Sequence, residues 1–312
     1  MGARPVIFKS RNGLKLHGML HLPDGQTGKT GIIILSPGIK SRVAPHRLYV
    51  KMSALFEGLG FAVFRFDPEG MGDSEGEVNE KQAADVYGSI QVGRFVDNTL
   101  SAMDWMQSEL GIRKFILSGL CGGAITGLLA GARDSRVDSL LGLGIPVILD
   151  GSNVDKTRFM TTGQLGAVRK GYFRKALDPK AWLRLLSFKS DYRLIFRSLW
   201  SSAAKKKSQG EQAGPPEKKK EQGNFNTLFP AAFRQMAGAR KICLIFSESD
   251  RLYWEFQEKF SSAYKEEMDR CGRNVEIHVT PEANHVFTFR KWQDGAFGTM
   301  RKWLEENYGK GQ

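Results

Sequence analysis

The chain has 312 residues and a formal net charge of +13. Of its residues 41% are hydrophobic and 25% are charged, which is typical of a globular protein and unlike a disordered one. No apolar stretch approaches the roughly 20 residues of a membrane-spanning helix, and the first residues lack the apolar core of a secretory signal. The three cysteines, at positions 121, 243 and 271, have no CxxC spacing, which argues against a disulfide framework and a cysteine-based zinc site. We therefore expect one large domain or two small ones, located in the cytoplasm.

The first elements of the chain alternate short β-rich runs with a longer amphipathic one. Strands are predicted at residues 6–9 and 14–22, on either side of Asn12-Gly13, which is a strong hairpin signal. A strand at residues 31–35 follows. The apolar residues of positions 46–59 recur with a helical period, and the next strand is predicted at residues 61–66.

The same alternation continues to residue 150. An amphipathic helix is predicted at about residues 92–110 and a strand at residues 114–118. A Gly-rich turn, an apolar helix that ends near residue 132 and a strand at residues 137–145 follow. Repeated strand–helix–strand units predict an α/β fold with a largely parallel sheet and helices on both faces.

Residues 151–222 interrupt this pattern and carry most of the net charge. They hold 17 Lys and Arg against 6 Asp and Glu, which leaves 29 basic and 27 acidic residues for the rest of the chain. Their first part is helical and aromatic-rich in pattern, and it groups Trp182 with Leu186. Residues 205–223 have no aliphatic or aromatic residue apart from one Ala, so we expect a mobile loop there. The segment therefore predicts a basic helical lid between two parts of one core, residues 1–150 and 223–312.

The strand–helix pattern resumes after the basic segment. Strands are predicted at residues 241–246 and 275–280, and helices at residues 253–271 and 295–308.

A candidate nucleophile lies at the turn after the strand of residues 114–118. Gly119, Cys121 and Gly123 match the G-x-S-x-G nucleophile elbow with Cys in place of Ser. Such an elbow projects one side chain at the N-terminus of a helix, where the dipole and free N–H groups favour a thiolate and then an oxyanion. The alternative is that Cys121 is a small core residue, since free cysteines are often buried.

An acid and a base follow in the order expected of a catalytic triad. Asp250 comes just after the strand of residues 241–246, with Glu248 as a nearby substitute, although Asp250 alone would also suit a helix cap. Among five histidines, only His285 lies in a loop between the last strand and the last helix. The sequence therefore predicts Cys121, His285 and Asp250 as nucleophile, base and acid.

The loop at residues 35–40 is the candidate for an oxyanion hole. In such enzymes one donor N–H follows the nucleophile, here Gly122, and another comes from the loop after the third strand. Gly38 allows the backbone to turn so that the Ile39 N–H points at the site. An ordinary Pro-Gly turn at Pro37-Gly38 is the alternative.

These motifs resemble the α/β-hydrolase superfamily over essentially the whole chain. The run DPEGMGDS at residues 67–74 is similar to the D-x-x-G-x-G-x-S loop of capped esterases and lipases. In that family the loop is structural, so the resemblance gives Ser74 no catalytic role. Its Gly70-x-Gly72 does not match a dinucleotide fingerprint either, because the third Gly is missing.

A closer resemblance is to the exosortase A system-associated hydrolases, which are bacterial proteins with a G-L-C elbow. It extends through residues 65–76, 182–187 and 283–287, and the chain differs from the subgroup at Gly122-Gly123. The resemblance implies the α/β-hydrolase fold with a helical lid, and it carries over Cys121, Asp250 and His285 as triad positions. It implies no substrate.

The resulting hypothesis is an acyl hydrolase, an esterase or thioesterase, that forms a thioester on Cys121. An acyltransferase that uses the same triad is the second interpretation, and a non-catalytic binding or membrane-surface protein is the third. The hypothesis requires no cofactor and no metal. Expected partners are a small acyl ester or thioester, with an anionic head group facing the basic lid, and the surface of the inner membrane. No nucleic-acid module is recognised.

Overall fold

A central sheet organises the residues that the computed structural model describes, which are 3–25, 28–151 and 224–309. Its strands are β1 (Arg4–Lys9), β2 (Lys15–His21), β3 (Thr30–Leu35), β4 (Ala62–Phe66), β5 (Lys114–Leu120), β6 (Val137–Leu143), β7 (Lys241–Ser247) and β8 (Val275–Thr280). Their order across the sheet is β1-β2-β4-β3-β5-β6-β7-β8. β2 is antiparallel to both of its neighbours, and the remaining neighbours pair in parallel. The predicted, largely parallel sheet is confirmed.

The sequence of β3 explains its central position. All six of its residues are buried, and Ile32, Ile33 and Ile34 form a continuous β-branched run. A strand that is buried on both faces reads as such a run, because helices cover parallel sheets on either side. β3 lies between β4 and β5, in the middle of the sheet.

Helices cover both faces of the sheet. Among the described residues they are α1 (Leu48–Gly58), α2 (Ala83–Gln91), α3 (Val96–Leu110), α4 (Gly122–Arg133), α5 (Leu228–Ala237), α6 (Arg251–Glu255), α7 (Lys265–Cys271) and α8 (Arg290–Tyr308). One buried cluster includes Met103, Leu128 and Phe233, from α3, α4 and α5. A second buried cluster includes Phe56 and Trp303, from α1 and α8. No helix of the described ranges is long and apolar enough to cross a membrane.

The parallel strands bring six loops to one edge of the sheet. β3 to β8 run in the same direction, so the segments that follow them start at the same edge. Ligands of open α/β sheets bind at this carboxyl edge. Every residue predicted for the triad and the oxyanion hole belongs to one of these following segments.

The chain enters and leaves the basic segment at neighbouring points. Leu149 N–H donates to Asn224 O at 2.7 Å, and Asn226 N–H donates to Val147 O at 2.9 Å. Gln91 of α2 fixes the same stretch, because its amide donates to Ile148 O at 2.9 Å and accepts the Asp150 N–H at 2.6 Å. The predicted lid, residues 151–222, and its Lys-rich loop, residues 205–223, lie outside the described residues except for residue 151.

The single helix predicted for residues 253–271 is wrong. The chain instead forms α6, a π-helical turn at Phe256–Ser261 and α7. Ser262 N–H donates to Gln257 O, five residues back, at 3.0 Å. Phe256 and Phe260 are both buried in this turn and pack edge-on against Phe229 of α5, so aromatic packing has overridden the regular helical period.

Two helices were not predicted. α2 contains Gly88, which lowers helix propensity. α5 contains Pro230 in its first turn, where the missing N–H is tolerated. Both helices are fixed by tertiary contacts, since α2 and α5 each pack against α4.

Candidate active site

Cys121 lies at the sharp turn from β5 into α4. Its backbone has φ 54° and ψ −111°, a conformation that costs a residue other than glycine about 1–3 kcal/mol. The Cys121 N–H donates to Leu143 O at 2.8 Å, and its carbonyl accepts the Ile125 N–H at 3.2 Å. These bonds hold the turn while the thiol stays partly exposed. Cys121 is therefore presented as the elbow motif predicts.

The two glycines of the motif allow the strand and the helix to approach each other. A Cβ on Gly119 would lie 2.8 Å from the carbonyl carbon of Gly123 and 2.9 Å from Leu35 O. A Cβ on Gly123 would overlap Leu35 O. Both positions therefore require glycine, and the end of β3 packs directly against the elbow.

Asp250 and His285 form a hydrogen-bonded pair at the same edge of the sheet. His285 Nδ1 lies 2.6 Å from Asp250 Oδ2, and Asp250 is 7% exposed. Asp250 also caps α6, because its other oxygen accepts the Leu252 N–H at 3.3 Å. One oxygen of the Asp250 carboxylate thus contacts the imidazole, as the triad interpretation requires, and the other caps α6, as the capping interpretation requires.

Glu248 binds elsewhere. Its Oε2 accepts the Glu282 N–H at 2.8 Å, and Ser249 N–H donates to Ala283 O at 3.1 Å. These bonds join the loop after β7 to the loop that carries His285. Glu248 therefore helps to position the histidine loop, while Asp250 is the carboxylate that contacts the imidazole.

The environment of His285 favours its protonated form. Burial acts to lower the pKa of His285, but the hydrogen bond with Asp250 and the interactions with Cys121 outweigh it and raise the pKa to about 10. The effect on the pKa also indicates that Cys121 is a neighbour of the imidazole. His285 thus has Asp250 on its Nδ1 side and Cys121 nearby.

The predicted oxyanion loop lies against the elbow. A Cβ on Gly122 would be 3.0 Å from both Gly38 N and Gly38 Cα. Gly38 has φ 98°, and the buried Ser36 hydroxyl holds the loop, since it lies 3.1 Å from Gly38 O and 2.5 Å from Lys40 O. The ring of Tyr87 packs against Gly38 of this loop. The sequence did not indicate this contact.

A second tyrosine holds the elbow from behind. Tyr49 of α1 is fully buried, and its hydroxyl accepts the Leu120 N–H at 2.7 Å. Burial, opposed by this bond, raises the pKa of Tyr49, so the phenol stays neutral. Tyr49 and Tyr87 belong to no catalytic motif, and contacts between residues distant in sequence bring both of them to the site.

The loop at residues 67–74 has a structural arrangement. The Ser74 hydroxyl donates to Asp67 O at 2.6 Å and accepts the His17 N–H at 2.9 Å. The Asp67 carboxylate accepts the Arg42 N–H at 2.5 Å and pairs with the Arg42 guanidinium. The two hydrogen bonds of Ser74 thus hold the loop against β2.

The lid candidates Trp182 and Leu186 lie outside the described residues.

Comparisons with known proteins identify the fold. No family model matches the chain, and no curated protein matches it. Among solved structures, an esterase of Pyrococcus furiosus is similar at 17% identity, with a TM-score of 0.58 over 98% of this chain and 91% of that one. A serine hydrolase without a lid from Xanthomonas campestris has 12% identity and a TM-score of 0.51, over 98% and 93% of the two chains.

A third solved structure agrees with these two. An α/β serine hydrolase homologue from Coxiella burnetii has 15% identity and a TM-score of 0.51, over 99% of this chain and 98% of that one. The chain has the α/β-hydrolase fold. The predicted fold, a mostly parallel sheet flanked by helices, is therefore confirmed.

Proposed function

We propose that the protein is an acyl hydrolase, an esterase or thioesterase, whose nucleophile is Cys121. The observation that carries the proposal is the hydrogen-bonded pair of His285 and Asp250 with Cys121 beside the imidazole on a strained elbow. The resemblance of the elbow and the closing loop to the exosortase A system-associated hydrolases supports a cysteine in this role. The hydrolase and esterase character of proteins that share the fold supports the reaction class.

The first half-reaction transfers the acyl group to sulfur. The Cys121 proton passes to His285 Nε2, and the thiolate attacks the acyl carbon, so that a C–S bond forms and the carbonyl π pair moves to oxygen. The negative charge develops beside the Gly122 N–H, which belongs to the first turn of α4 and has no partner within the helix. The carbon–oxygen or carbon–sulfur bond of the leaving group then breaks, and the imidazolium protonates the alcohol or thiol that departs.

The second half-reaction releases the acid. His285 removes a proton from water, the hydroxide attacks the thioester carbon, and the C–S bond breaks to return the thiol of Cys121. Asp250 fixes the tautomer of His285 through Nδ1 and stabilises the imidazolium in both steps. An alcohol or amine in place of water would give acyl transfer with the same residues.

The test is hydrolysis of p-nitrophenyl acetate and butyrate by the full chain and its variants. We expect Cys121→Ala to lower kcat/KM by about 10³-fold or more and Asp250→Asn by about 10²- to 10⁴-fold. Cys271→Ala is the matched control, because Cys271 is also partly exposed but lies at the end of α7, and its activity should equal that of the unmodified protein. Full activity of Cys121→Ala would contradict the proposal.

Two further measurements define the chemistry. The intact mass after a short exposure to the ester should rise by one acyl group, and peptide mapping should locate that group on Cys121. Added alcohol or amine distinguishes hydrolysis from transfer, because a transferase diverts product to the acceptor. A product ratio that is independent of the acceptor supports hydrolysis.

A further inference from the structure

Tyr87 is a polar side chain next to the predicted oxyanion loop, and the triad does not use it. It belongs to α2, and its ring packs so closely on Gly38 that a Cβ on Gly38 would overlap it. Gly38 in turn touches Gly122, the residue after the nucleophile. Tyr87 therefore reaches the space between the loop after β3 and the start of α4.

Neighbouring residues of α2 fix this position. Ile90 is fully buried, and its Cγ2 would lie 3.2 Å from a Cβ on Gly122. Gly88 is packed so tightly against Asp150 that a Cβ there would overlap the Asp150 carbonyl. Val86 and Ile90 anchor the same helix in a small buried cluster against which Ile39 packs. These contacts thus fix α2 on three sides, and they fix the position of the Tyr87 side chain with it.

The phenol lies beside the oxyanion loop with its proton in place. Cζ of Tyr87, which carries the hydroxyl, would lie 3.3 Å from a Cβ on Gly38. Burial, then the nearby Cys121 and Asp150, raise the pKa of Tyr87 against the opposing effect of the Ile39 backbone. The hydroxyl is therefore neutral at physiological pH and can donate a hydrogen bond.

We propose that the Tyr87 hydroxyl donates a hydrogen bond to the oxyanion that forms when Cys121 attacks an acyl carbon. This role rests on the proposed function and adds a side-chain donor to the predicted N–H donors of Ile39 and Gly122. Tyr87 gives up no proton in this step, because it only stabilises the charge.

The test compares Tyr87→Phe with the unmodified full chain in two reactions of Cys121. The Phe ring keeps the packing on Gly38 and removes only the hydroxyl. Acylation by p-nitrophenyl acetate passes through an oxyanion, and we expect it to slow by about 10²- to 10³-fold, mainly in kcat. Alkylation by iodoacetamide has no oxyanion, and its rate should change by less than about threefold if the thiolate is intact. Equal acylation rates, or a parallel loss in both reactions, would overturn the assignment.

A third measurement separates this proposal from the proposed function. Acetaldehyde adds to a reactive thiol as a thiohemiacetal, whose oxygen occupies the place of the oxyanion, and competition with iodoacetamide gives its Kd. We expect a Kd about tenfold higher for Tyr87→Phe, because one hydrogen bond is lost. If neither protein is acylated by esters, the hydrolase function fails, while the ratio of the two Kd values still decides the role of Tyr87. An equal Kd, or no adduct at Cys121 at all, overturns it.

Discussion

Cys121 keeps an unfavourable backbone conformation because the residues around it leave no room to relax. Gly119 and Gly123 are in contact beneath it, Leu143 accepts its N–H, and the end of β3 presses on the turn. The cost of the conformation, about 1–3 kcal/mol, is offset by the buried core on both sides of β5. A structural cysteine has no need of this arrangement, and Cys243 shows the contrast, because it is fully buried within β7 and burial raises its pKa.

The protonation of His285 gives a prediction at the same scale. Its pKa of about 10 in the folded chain lies above the usual value of 6.5. The stabilisation from protonated His285 is therefore complete below pH 6.5 and is lost as the pH rises from 6.5 to about 10. Cys121→Ala and Asp250→Asn each remove an interaction that raises the pKa, so both variants should titrate at lower pH than the unmodified chain.

The titration is measured by NMR on chain labelled at the histidine ring carbons. His285 is assigned from the resonance that disappears in His285→Gln. Its midpoint should lie near 10 in the unmodified chain and fall in the two variants. Urea unfolding at several pH values provides the second measurement, because the stability advantage over His285→Gln should shrink above pH 6.5. A midpoint near 6.5, or one that Cys121→Ala leaves unchanged, would contradict the interpretation.

At the scale of elements, the sequence predicted the parts of the fold that local patterns control. The apolar runs of β3, β5, β7 and β8 and the glycines of the elbow are local signals, and each is within a residue or two of its predicted place. α2 is different, because its anchors are Gly122 and Asp150, which lie far away in sequence. Periodicity indicates which face of a single helix or strand is buried. It contains no information on which tyrosine lies near the oxyanion loop. Tyr87 was missed for this reason, while Asp250 and His285 could be predicted as neighbours because triad order is a property of the chain.

α1 supplies a prediction of its own through Tyr49. In Tyr49→Phe the Leu120 N–H at the end of β5 loses its partner in a fully buried position. We expect the free energy of unfolding to fall by about 1–3 kcal/mol. We also expect kcat for p-nitrophenyl acetate to fall by about tenfold or more, because small displacements of a nucleophile are costly.

Tyr308→Phe is the matched control for Tyr49→Phe. The Tyr308 hydroxyl lies 2.6 Å from Asp138 Oδ2 and 2.7 Å from Ser139 Oγ, at the end of α8. Its removal should lower the free energy of unfolding, measured in urea, and leave kcat unchanged. If Tyr49→Phe also loses stability without any change in kcat, Tyr49 supports the fold and does not position the elbow.

At the scale of the whole molecule, most of the net charge lies in a segment that contains none of the predicted triad residues. Outside residues 151–222 the chain has 29 basic and 27 acidic residues, so the α/β core is close to neutral. The basic segment is inserted between the nucleophile and the acid, and the chain on either side of it is joined by the bonds of Leu149 and Asn226. We therefore propose that the excess charge serves recognition of an anionic head group or surface, separate from the reaction itself.

Neutralising six lysines of the basic segment tests this proposal. Lys→Gln substitution at positions 205–207 and 218–220 removes six of its eleven net positive charges. Each Lys near an anionic membrane contributes about 1 kcal/mol, so even partial engagement should lower partitioning onto phosphatidylserine vesicles by about tenfold or more. Partitioning should also fall with added salt. Phosphatidylcholine vesicles and the hydrolysis of p-nitrophenyl acetate are the controls, and neither should change. Equal partitioning of the two proteins onto anionic vesicles would mean that these lysines do not recognise a charged surface. Loss of ester hydrolysis would mean that they contribute to the reaction itself.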